Sequence, residues 1–401
     1  MRRGRFAWRT VAITGVLGVL LTGCATSTVG SSPDHPRSSA VITASASPSV
    51  LVRSANWFEA GSKLCASTPG PALAAGMKHS VTRTTRVPTY PIALSADGSR
   101  MFVSTYGRDF SGVAELVVAS GKLHPIHAFA HPDRYQAGGV FDGRYLVWFE
   151  YHSLYGLDDF TAYSYDTRSG LVRTIGQPHT DAQGNFYSSP WQYPVAGAGY
   201  AAFAVGVGAG GLTEVVGVEL ATGVSKVLRR GHAQAPIMVA TTVIWPESAA
   251  PGVETTLRAV DVRTDKTVGL SPVLRAVHGT PVLVGDGTRF AYVDPSRHEL
   301  FYSPAPGTSA KSVLRLDHAE QFQSVGMAMH TLVWITTEAT YVADLRTGRY
   351  ARLVTNGSWK TSTGAVSIME PSTVKMNHPL DVEHLLRVAD IEIQPCPVPA
   401  R

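Results

Sequence analysis

Histidines and carboxylates recur at matched positions along this sequence, and together they could bind a metal ion or the hydroxyls of a sugar. Each of five histidines precedes a short apolar run of the kind that forms a strand: His131, His179, His232, His278 and His318. Three acids each lie two residues after a large aromatic side chain, and these are Glu150, Glu247 and Asp294. Imidazole nitrogens and carboxylate oxygens are ligands for borderline and hard metal ions.

A structural role for the same residues is the alternative. A loop histidine can hydrogen-bond its own sheet, and a carboxylate at the end of a strand commonly faces water. A ring of imidazoles would instead bind a metal or an anionic ligand. We therefore predict no cofactor, and a divalent metal stays an open alternative.

Loops beside these residues contribute further polar and aromatic groups. The stretches "YGRDFSG" (106–112) and "YHSLYGLDDF" (151–160) are the richest, and "GQPHTDAQGNFYSSPWQYP" (176–194) is also long. Aromatic, arginine and acidic side chains on long loops suit the binding of a ligand or a protein. The candidate binding face contains the histidines and acids named above, except His131, together with Arg108, Tyr151, His152 and Tyr155.

A repeated pair of hairpins must position these groups. The stretch "PVLVGDGTRFAYVD" (281–294) has two apolar runs around Asp-Gly, and "PIALSADGSRMFVS" (91–104) shares that pattern. Asp-Gly suits a tight hairpin because both residues tolerate positive φ. A second hairpin turn follows each time, as in "TRSG" (167–170) and "RTG" (346–348). Four strands in each repeat of roughly 45 residues are typical of a β-propeller.

The predicted fold is therefore all-β, a propeller of four-stranded blades, with seven blades favoured and six as the alternative. The strand 80–87 and the C-terminal strands 365–369, 373–376 and 384–393 would share the last blade and close the ring. One large aromatic side chain in each repeat is predicted to fill the wedge between blades. These residues are Phe102, Trp148, Phe203, Trp245, Tyr292 and Trp334.

The N-terminus has the features of a sorting signal. Four arginines precede the apolar run 10–21, which leads into "LTGC" (21–24). This ending resembles the lipobox of bacterial lipoproteins, and the resemblance implies cleavage before Cys24, a lipid on Cys24 and anchoring on the outer leaflet of a membrane. An ordinary cleaved signal with a stray cysteine is the alternative.

The predicted domains are a signal peptide (1–23), a flexible Ser/Thr/Pro-rich tether (24–50), an N-terminal extension packing on the propeller (51–79) and the propeller itself (80–401). The tether contains too few large apolar residues to build a core.

Two cysteines remain once Cys24 is assigned to the lipid. Cys65 and Cys396 lie at the two ends of the globular region, in an exported and oxidising compartment. We predict a disulfide between them, worth roughly 2–5 kcal/mol, with two free thiols as the alternative.

The charge balance argues against a nucleic-acid partner. The formal net charge is +5, and four of the arginines lie within residues 1–23 together with no acid, so the mature chain has a net charge of +1. Such a chain has no electrostatic reason to bind nucleic acid.

The segment "PIALSADGSRMFVS" (91–104) resembles the repeat of TolB-like propellers, and "RGHAQAPI" (230–237) resembles the Gly-His segment of WD-repeat blades. These resemblances imply the propeller fold and a structural hydrogen bond from the histidine, while propellers host many activities. The periplasmic TolB-like members imply contact with another protein.

The sequence therefore predicts a lipid-anchored extracytoplasmic binding or scaffolding module. Its partners would be the membrane, through the Cys24 lipid, and another envelope protein or a small or glycan ligand. The alternative is an enzyme on the same fold, a metal-assisted hydrolase, lyase or lactonase. No catalytic motif was found, so enzymatic activity stays uncertain.

Overall fold

A computed structural model shows how the repeated hairpins are arranged. It describes a set of segments with gaps between them: residues 56–57, 62–63, 65–78, 89–131, 134–152, 159–190, 192–250, 253–275, 277, 282–285, 290–303, 310–317, 319–354, 358–361, 365–369, 383–388 and 391–396. The predicted signal, the lipid-bearing Cys24 and the tether lie outside these residues.

The N-terminal part of the described chain contains short elements. They are β1 (Asn56–Trp57), β2 (Ser62–Lys63), β3 (Cys65–Ser67) and α1 (Pro71–Gly76). Leu73 of α1 is buried against Leu386, Val388, Ile391 and Ile393 near the C-terminus. The N-terminal extension therefore packs on the end of the same chain.

Sheets 1 to 3 follow, and each has four antiparallel strands in chain order. Sheet 1 contains β4 (Thr89–Leu94), β5 (Arg100–Tyr106), β6 (Ser111–Val117) and β7 (Lys122–Ala128). Sheet 2 contains β8 (Tyr135–Phe141), β9 (Tyr145–Tyr151), β10 (Thr161–Asp166) and β11 (Leu171–Gly176). Sheet 3 contains β12 (Val195–Gly197), β13 (Tyr200–Gly208), β14 (Leu212–Glu219) and β15 (Val224–Ala233), with a short 3-10 helix at Ala209–Gly211.

Sheets 4 and 5 keep the same order of four strands. Sheet 4 contains β16 (Ile237–Val239), β17 (Thr242–Ser248), β18 (Thr255–Asp261) and β19 (Lys266–Thr267), and α2 (Pro272–Arg275) follows it. Sheet 5 contains β20 (Val282–Gly285), β21 (Phe290–Val293), β22 (Glu299–Ser303) and β23 (Lys311–Arg315). The end of β15 also pairs with β17, which joins sheets 3 and 4.

Sheets 6 and 7 complete the described strands. Sheet 6 contains β24 (Phe322–Ala328), β25 (Thr331–Thr336), β26 (Thr340–Asp344) and β27 (Arg349–Val354), and β3 adds to β27 in parallel. Sheet 7 contains β28 (Ser358–Thr361), β29 (Ala365–Met369) and β30 (Glu383–Arg387). Neither helix in the described part of the chain is long and apolar enough to span a membrane.

The first strands of these sheets form a ring. Each lies against the first strand of the next sheet, and β28 lies against both β24 and β4. This arrangement confirms the predicted all-β propeller fold. The number of blades stays a prediction, because residues 80–87 and 373–376, expected in the last blade, lie outside the described part.

The hydrophobic core lies between successive sheets rather than at one centre. One cluster joins Trp148 and Phe102 of sheets 2 and 1, and another joins Phe149 and Phe203 of sheets 2 and 3. All six aromatic side chains predicted to pack between blades are at most 1% exposed. Full burial of such a ring contributes roughly 1.5–3 kcal/mol.

The predicted disulfide between Cys65 and Cys396 is present, with Cα atoms 6.1 Å apart. Cys65 begins β3, whose partner is the outer strand β27 of sheet 6. The bridge therefore fastens the C-terminal segment to the edge of sheet 6.

The turns between third and fourth strands share one geometry in five sheets. The N–H group of the last turn residue donates to the carbonyl four residues earlier, as Gly170 does to Asp166 at 2.8 Å. That last residue has positive φ, from 60° at Asp265 to 77° at Gly223. A glycine is therefore favoured there because it avoids the steric cost of positive φ.

Replacing this glycine should cost stability through the backbone alone. A Cβ at residue 170 would contact nothing within 4 Å, and φ is +72°. We expect Gly170→Ala to lower the free energy of unfolding by about 1 kcal/mol. Gly269→Ala is the matched control, because its Cβ also meets nothing and its φ is not positive. Equal effects of the two substitutions in urea unfolding would contradict this assignment.

Candidate functional site

Five tyrosines gather at one edge of sheets 1 to 3. They are Tyr90, Tyr106, Tyr135, Tyr151 and Tyr193, and we call them the tyrosine surface. Ring centroids are 5.6 Å apart for Tyr90 and Tyr106, 6.5 Å for Tyr106 and Tyr135, and 6.3 Å for Tyr135 and Tyr151. Tyr135 and Tyr193 are 38% and 51% exposed, so two of these rings offer aromatic surface to solvent.

Strand direction brings these tyrosines together. In an antiparallel pair, the start of one strand lies beside the end of the other. Tyr135 begins β8 and Tyr151 ends β9, and the two residues are direct partners in the ladder. Tyr90 near the start of β4 and Tyr106 at the end of β5 repeat this placement in sheet 1.

Side-chain hydrogen bonds fix the loop that presents Tyr193. Gln192 is buried, and its carboxamide oxygen accepts from the backbone N–H of Ala204 at 2.8 Å while its amide donates to the Ala204 carbonyl. The N–H of Gly206 donates to the hydroxyl of Ser189 at 2.9 Å. These bonds pair backbone groups of β13 in the part of the strand that extends beyond its three-residue partner β12.

The ring of Tyr193 packs against Gly138 of sheet 2. A Cβ built on Gly138 would lie 2.1 Å from Cδ1 of Tyr193, so only a residue without a side chain allows the ring to lie there. The backbone of Gly138 has φ of +54°, within a bulge of β8. The orientation of Tyr193 is therefore set by two neighbouring sheets.

The phenol groups of Tyr106, Tyr151 and Tyr193 stay protonated at neutral pH, because burial raises the pKa of each. Burial raises the pKa of Tyr151 to about 12, and the neighbouring tyrosines Tyr106, Tyr193 and Tyr135 contribute further. Burial also raises the pKa of Tyr106, while the N–H of Gln136 donates to its oxygen at 3.4 Å. The tyrosine surface therefore offers neutral hydroxyls beside aromatic faces.

Charged groups of both signs lie near this surface. The backbone N–H of His152 donates to the Asp159 carboxylate at 3.2 Å, and Nδ1 of its ring also contacts that carboxylate. The His152 ring stacks on His131 with centroids 6.1 Å apart. Arg108 is exposed and is followed directly by the exposed acid Asp109.

Two of the predicted site acids are buried between sheets and bind tryptophan side chains. Glu150 is 0% exposed, accepts from Nε1 of Trp148 at 3.2 Å and lies 3.2 Å from Nε2 of His127. Glu247 is 7% exposed and accepts from Nε1 of Trp245 at 3.1 Å.

Arg229 also donates to Glu247, at 3.2 Å. Acid and tryptophan lie on the same strand face because side chains two residues apart point the same way. Glu150 and Glu247 therefore accept hydrogen bonds from other side chains of the fold. The sequence had suggested them as candidate ligands for a bound metal or sugar.

Asp294 differs from these two acids in its environment. It follows β21, and its Oδ1 accepts from the backbone N–H groups of His298 at 3.1 Å and Glu299 at 2.9 Å. Ser296 donates its hydroxyl to the other carboxylate oxygen. Asp294 therefore stabilises the turn into β22. It occupies the same position in its repeat as Glu150 and Glu247, but unlike them it accepts from no tryptophan in the described part of the chain.

The structure does not bring the predicted histidines and acids together as a metal site. Nε2 of His179 lies 3.8 Å from Glu214, and Nδ1 of His232 is 3.1 Å from the Gly211 carbonyl. His232 belongs to β15, not to a loop as predicted. His278, His318 and Tyr155 lie outside the described residues. Within the described segments, no three His, Cys, Asp or Glu side chains form a metal-binding group.

A cavity of about 540 Å³ lies at the opposite edge, between the turns of sheets 2 and 3. Arg144 lines it and donates through Nε and Nη2 to Asp166 at 3.1 and 2.7 Å. This pair lowers the pKa of the Asp166 carboxyl well below its usual value. Asp142, also in the lining, accepts from the N–H of Gly199 at 3.0 Å across the two sheets.

Glu320, just before sheet 6, is a buried acid with the exposed Glu338 as its neighbour, and no sequence pattern marks it. Glu320 is 2% exposed, and neither of its carboxylate oxygens accepts a hydrogen bond from a described residue. Burial, followed by contact with the carboxyl of Glu338, raises the pKa of Glu320 to about 7. Ionised Glu320 would place a buried negative charge near a second carboxylate, so loss of its proton is unfavourable in the folded state.

Sheet 6 also lacks the acid that binds tryptophan in sheets 2 and 4. Thr336 occupies the matching position, and Nε1 of Trp334 has no hydrogen-bond acceptor among the described residues. Trp334 is nevertheless as deeply buried as Trp148 and Trp245. Packing of the ring is therefore sufficient to bury a tryptophan at this position. The acid in sheets 2 and 4 adds a hydrogen bond to that packing.

Comparison with solved structures identifies the class as a β-propeller protein, and no known protein family or curated protein matches the chain. An oligogalacturonate lyase in complex with manganese is similar over 84% of this chain and 95% of its own, with 12% identity and a TM-score of 0.50.

A prolyl endopeptidase is similar over 81% of this chain, with 13% identity and a TM-score of 0.47, and the chain spans about half (50%) of its length. TolB from Acinetobacter baumannii shares 11% identity over 67% of this chain and 66% of its own, with a TM-score of 0.38. At these identities the likeness concerns the fold.

Substitution of the three buried tryptophans should separate packing from hydrogen bonding. Trp148→Phe and Trp245→Phe leave a buried carboxylate without its indole donor, whereas Trp334→Phe breaks no such bond. We expect the first two to lose about 1.5–3 kcal/mol more of the free energy of unfolding than the third. Equal losses in urea unfolding would contradict the proposed value of these bonds.

The acid pair predicts a direction for the pH dependence of stability. Folded Glu320 holds its proton up to about pH 7, above the usual carboxyl pKa, so its stabilisation is present at low pH and is lost as the pH rises through that value. We expect the free energy of unfolding to fall by about 2–3 kcal/mol between about pH 5 and about pH 8. Glu320→Gln should flatten this slope, and the exposed Glu392→Gln should leave it; an unchanged slope in Glu320→Gln would refute the assignment.

Proposed function

We propose that the chain is an extracytoplasmic binding protein, held at a membrane by a lipid on Cys24, with the tyrosine surface as its recognition site. The observation that carries this proposal is the convergence of tyrosines from three successive sheets on one edge. A rigid scaffold that presents side chains from several elements is a usual arrangement for a binding site.

The physical properties of tyrosine support recognition at this edge. A tyrosine ring gives a large contact area and a polar hydroxyl while losing little rotational freedom on binding. The anchoring of Tyr193 through Gln192 and Gly138 lowers the ordering cost further. An envelope protein and a small or glycan ligand are both compatible with such a surface.

The enzyme alternative depends on carboxylates that already accept hydrogen bonds within the fold. Glu150 and Glu247 accept from buried indoles, and Asp294 closes a turn. Release of these acids for a reaction would leave a buried donor unpaired in each of the first two cases. The exposed tyrosines need no such rearrangement, which favours binding.

Photo-crosslinking in the cells that produce the chain tests the proposal. With a benzophenone amino acid in place of Tyr193 in the full chain, we expect a covalent adduct with the bound molecule. Tyr135→Ala in the same chain should reduce the adduct by about tenfold, because loss of a central aromatic contact weakens binding.

The control carries the probe in place of Leu171, which is 46% exposed on the outer strand of sheet 2. The proposal fails if residue 193 gives no adduct or if residue 171 gives the same one.

A further inference from the structure

The exposed rings of the tyrosine surface have no exposed aliphatic side chain beside them in the described chain. The other large exposed apolar residues lie on outer strands, in turns or in the 176–194 loop: Leu171, Phe186, Val224, Val227, Val253 and Met329. A protein interface usually buries a mixed apolar patch with aromatic anchors at its centre. Here, Tyr135 and Tyr193 are the exposed members, and both present aromatic surface.

Charged side chains of both signs lie at this edge. The ring and backbone of His152 contact Asp159, and Arg134 donates to the backbone carbonyl of Glu150 at 3.4 Å. Arg108 and Asp109 are adjacent and opposite in sign. The protonated phenols add no charge, as the raised pKa values of Tyr106 and Tyr151 require. Such a surface has little electrostatic attraction for a phosphate or an acidic chain.

From these observations, and resting on the proposed function, we infer that the tyrosine surface binds a neutral glycan. One face of a pyranose ring carries C–H groups, which pack against the negative face of an aromatic ring. Tyr135 and Tyr193 supply two such faces at the edges of neighbouring sheets. The sugar hydroxyls meet phenol oxygens, which both donate and accept hydrogen bonds.

The position of Tyr193 makes the inference specific to this arrangement. Its ring lies against Gly138 of the neighbouring sheet, in β8, the strand that Tyr135 begins. A preformed pair of stacking faces binds with a smaller loss of side-chain freedom than two mobile rings would.

An array of neutral and acidic glycans, probed with the full chain in detergent, provides the test. We expect binding to neutral glycans, and the strongest binder is then titrated by calorimetry. Its affinity should change less than about twofold between low and high salt, because no ion pair is formed. Tyr135→Ala and Tyr193→Ala should each weaken it about tenfold, a loss of one stacking contact.

A matched pair of glycine variants tests the placement of the ring without removing it. Gly138→Ala adds a Cβ against Tyr193, whereas Gly143→Ala introduces a residue at positive φ in the same sheet with nothing within 4 Å. We expect only Gly138→Ala to lower glycan affinity, by about tenfold if the stacking contact is lost.

Failure of the glycan inference is distinguishable from failure of the binding proposal. The inference is overturned if no neutral glycan on the array binds, if binding is confined to acidic glycans, or if the tyrosine variants bind as the parent does. If residue 193 cross-links to a protein and no glycan on the array binds, the binding proposal is supported and the glycan inference fails. If no cross-link forms and no glycan binds, the binding proposal and the glycan inference both fail.

Discussion

The fold depends on the packing of one large ring from the second strand of each of six sheets against a neighbouring sheet. Phe102, Trp148, Phe203, Trp245, Tyr292 and Trp334 are all at most 1% exposed. Because the core is divided among interfaces between sheets, the second strands are buried on both faces. Trp148 packs towards sheet 1 while the next residue, Phe149, packs towards sheet 3. Where the strand continues, a side chain two residues after the ring therefore enters the same interface, as Glu150 and Glu247 do.

This constraint explains how much of the fold the sequence predicted. The hairpin repeat, the ring positions and the Cys65–Cys396 bridge follow from local turn chemistry, residue type and the count of cysteines. The first strand of sheet 7, Ser358–Thr361, contains one large apolar residue, Trp359, so no apolar run marks it in the sequence. The parallel addition of β3 to β27 was missed, since pairing of distant strands leaves no local pattern.

The candidate site was predictable only in part, and the reason is geometric. The sequence predicts Glu150 and Glu247 as exposed acids at the ends of strands, but two-sided burial turns them towards Trp148 and Trp245. Tyr151 was identified, whereas its partners across the edge were not. A signal was present: "YPIAL" (90–94) and "YPVAG" (193–197) both place a Tyr-Pro pair at or just before the start of an inner strand. Glu320 left no signal, because its burial depends on contacts between distant segments.

Hydroxyl-radical footprinting of the chain in intact cells and after purification tests the recognition role of the tyrosine surface most directly. Tyr135 and Tyr193 are exposed in the chain alone, as are Leu171 and Val224 on the outer strands. If the surface is occupied in the cell, the two tyrosines will be oxidised less in cells than in purified protein, while the two aliphatic side chains will react equally in both. Equal oxidation of the tyrosines in the two samples would contradict the account.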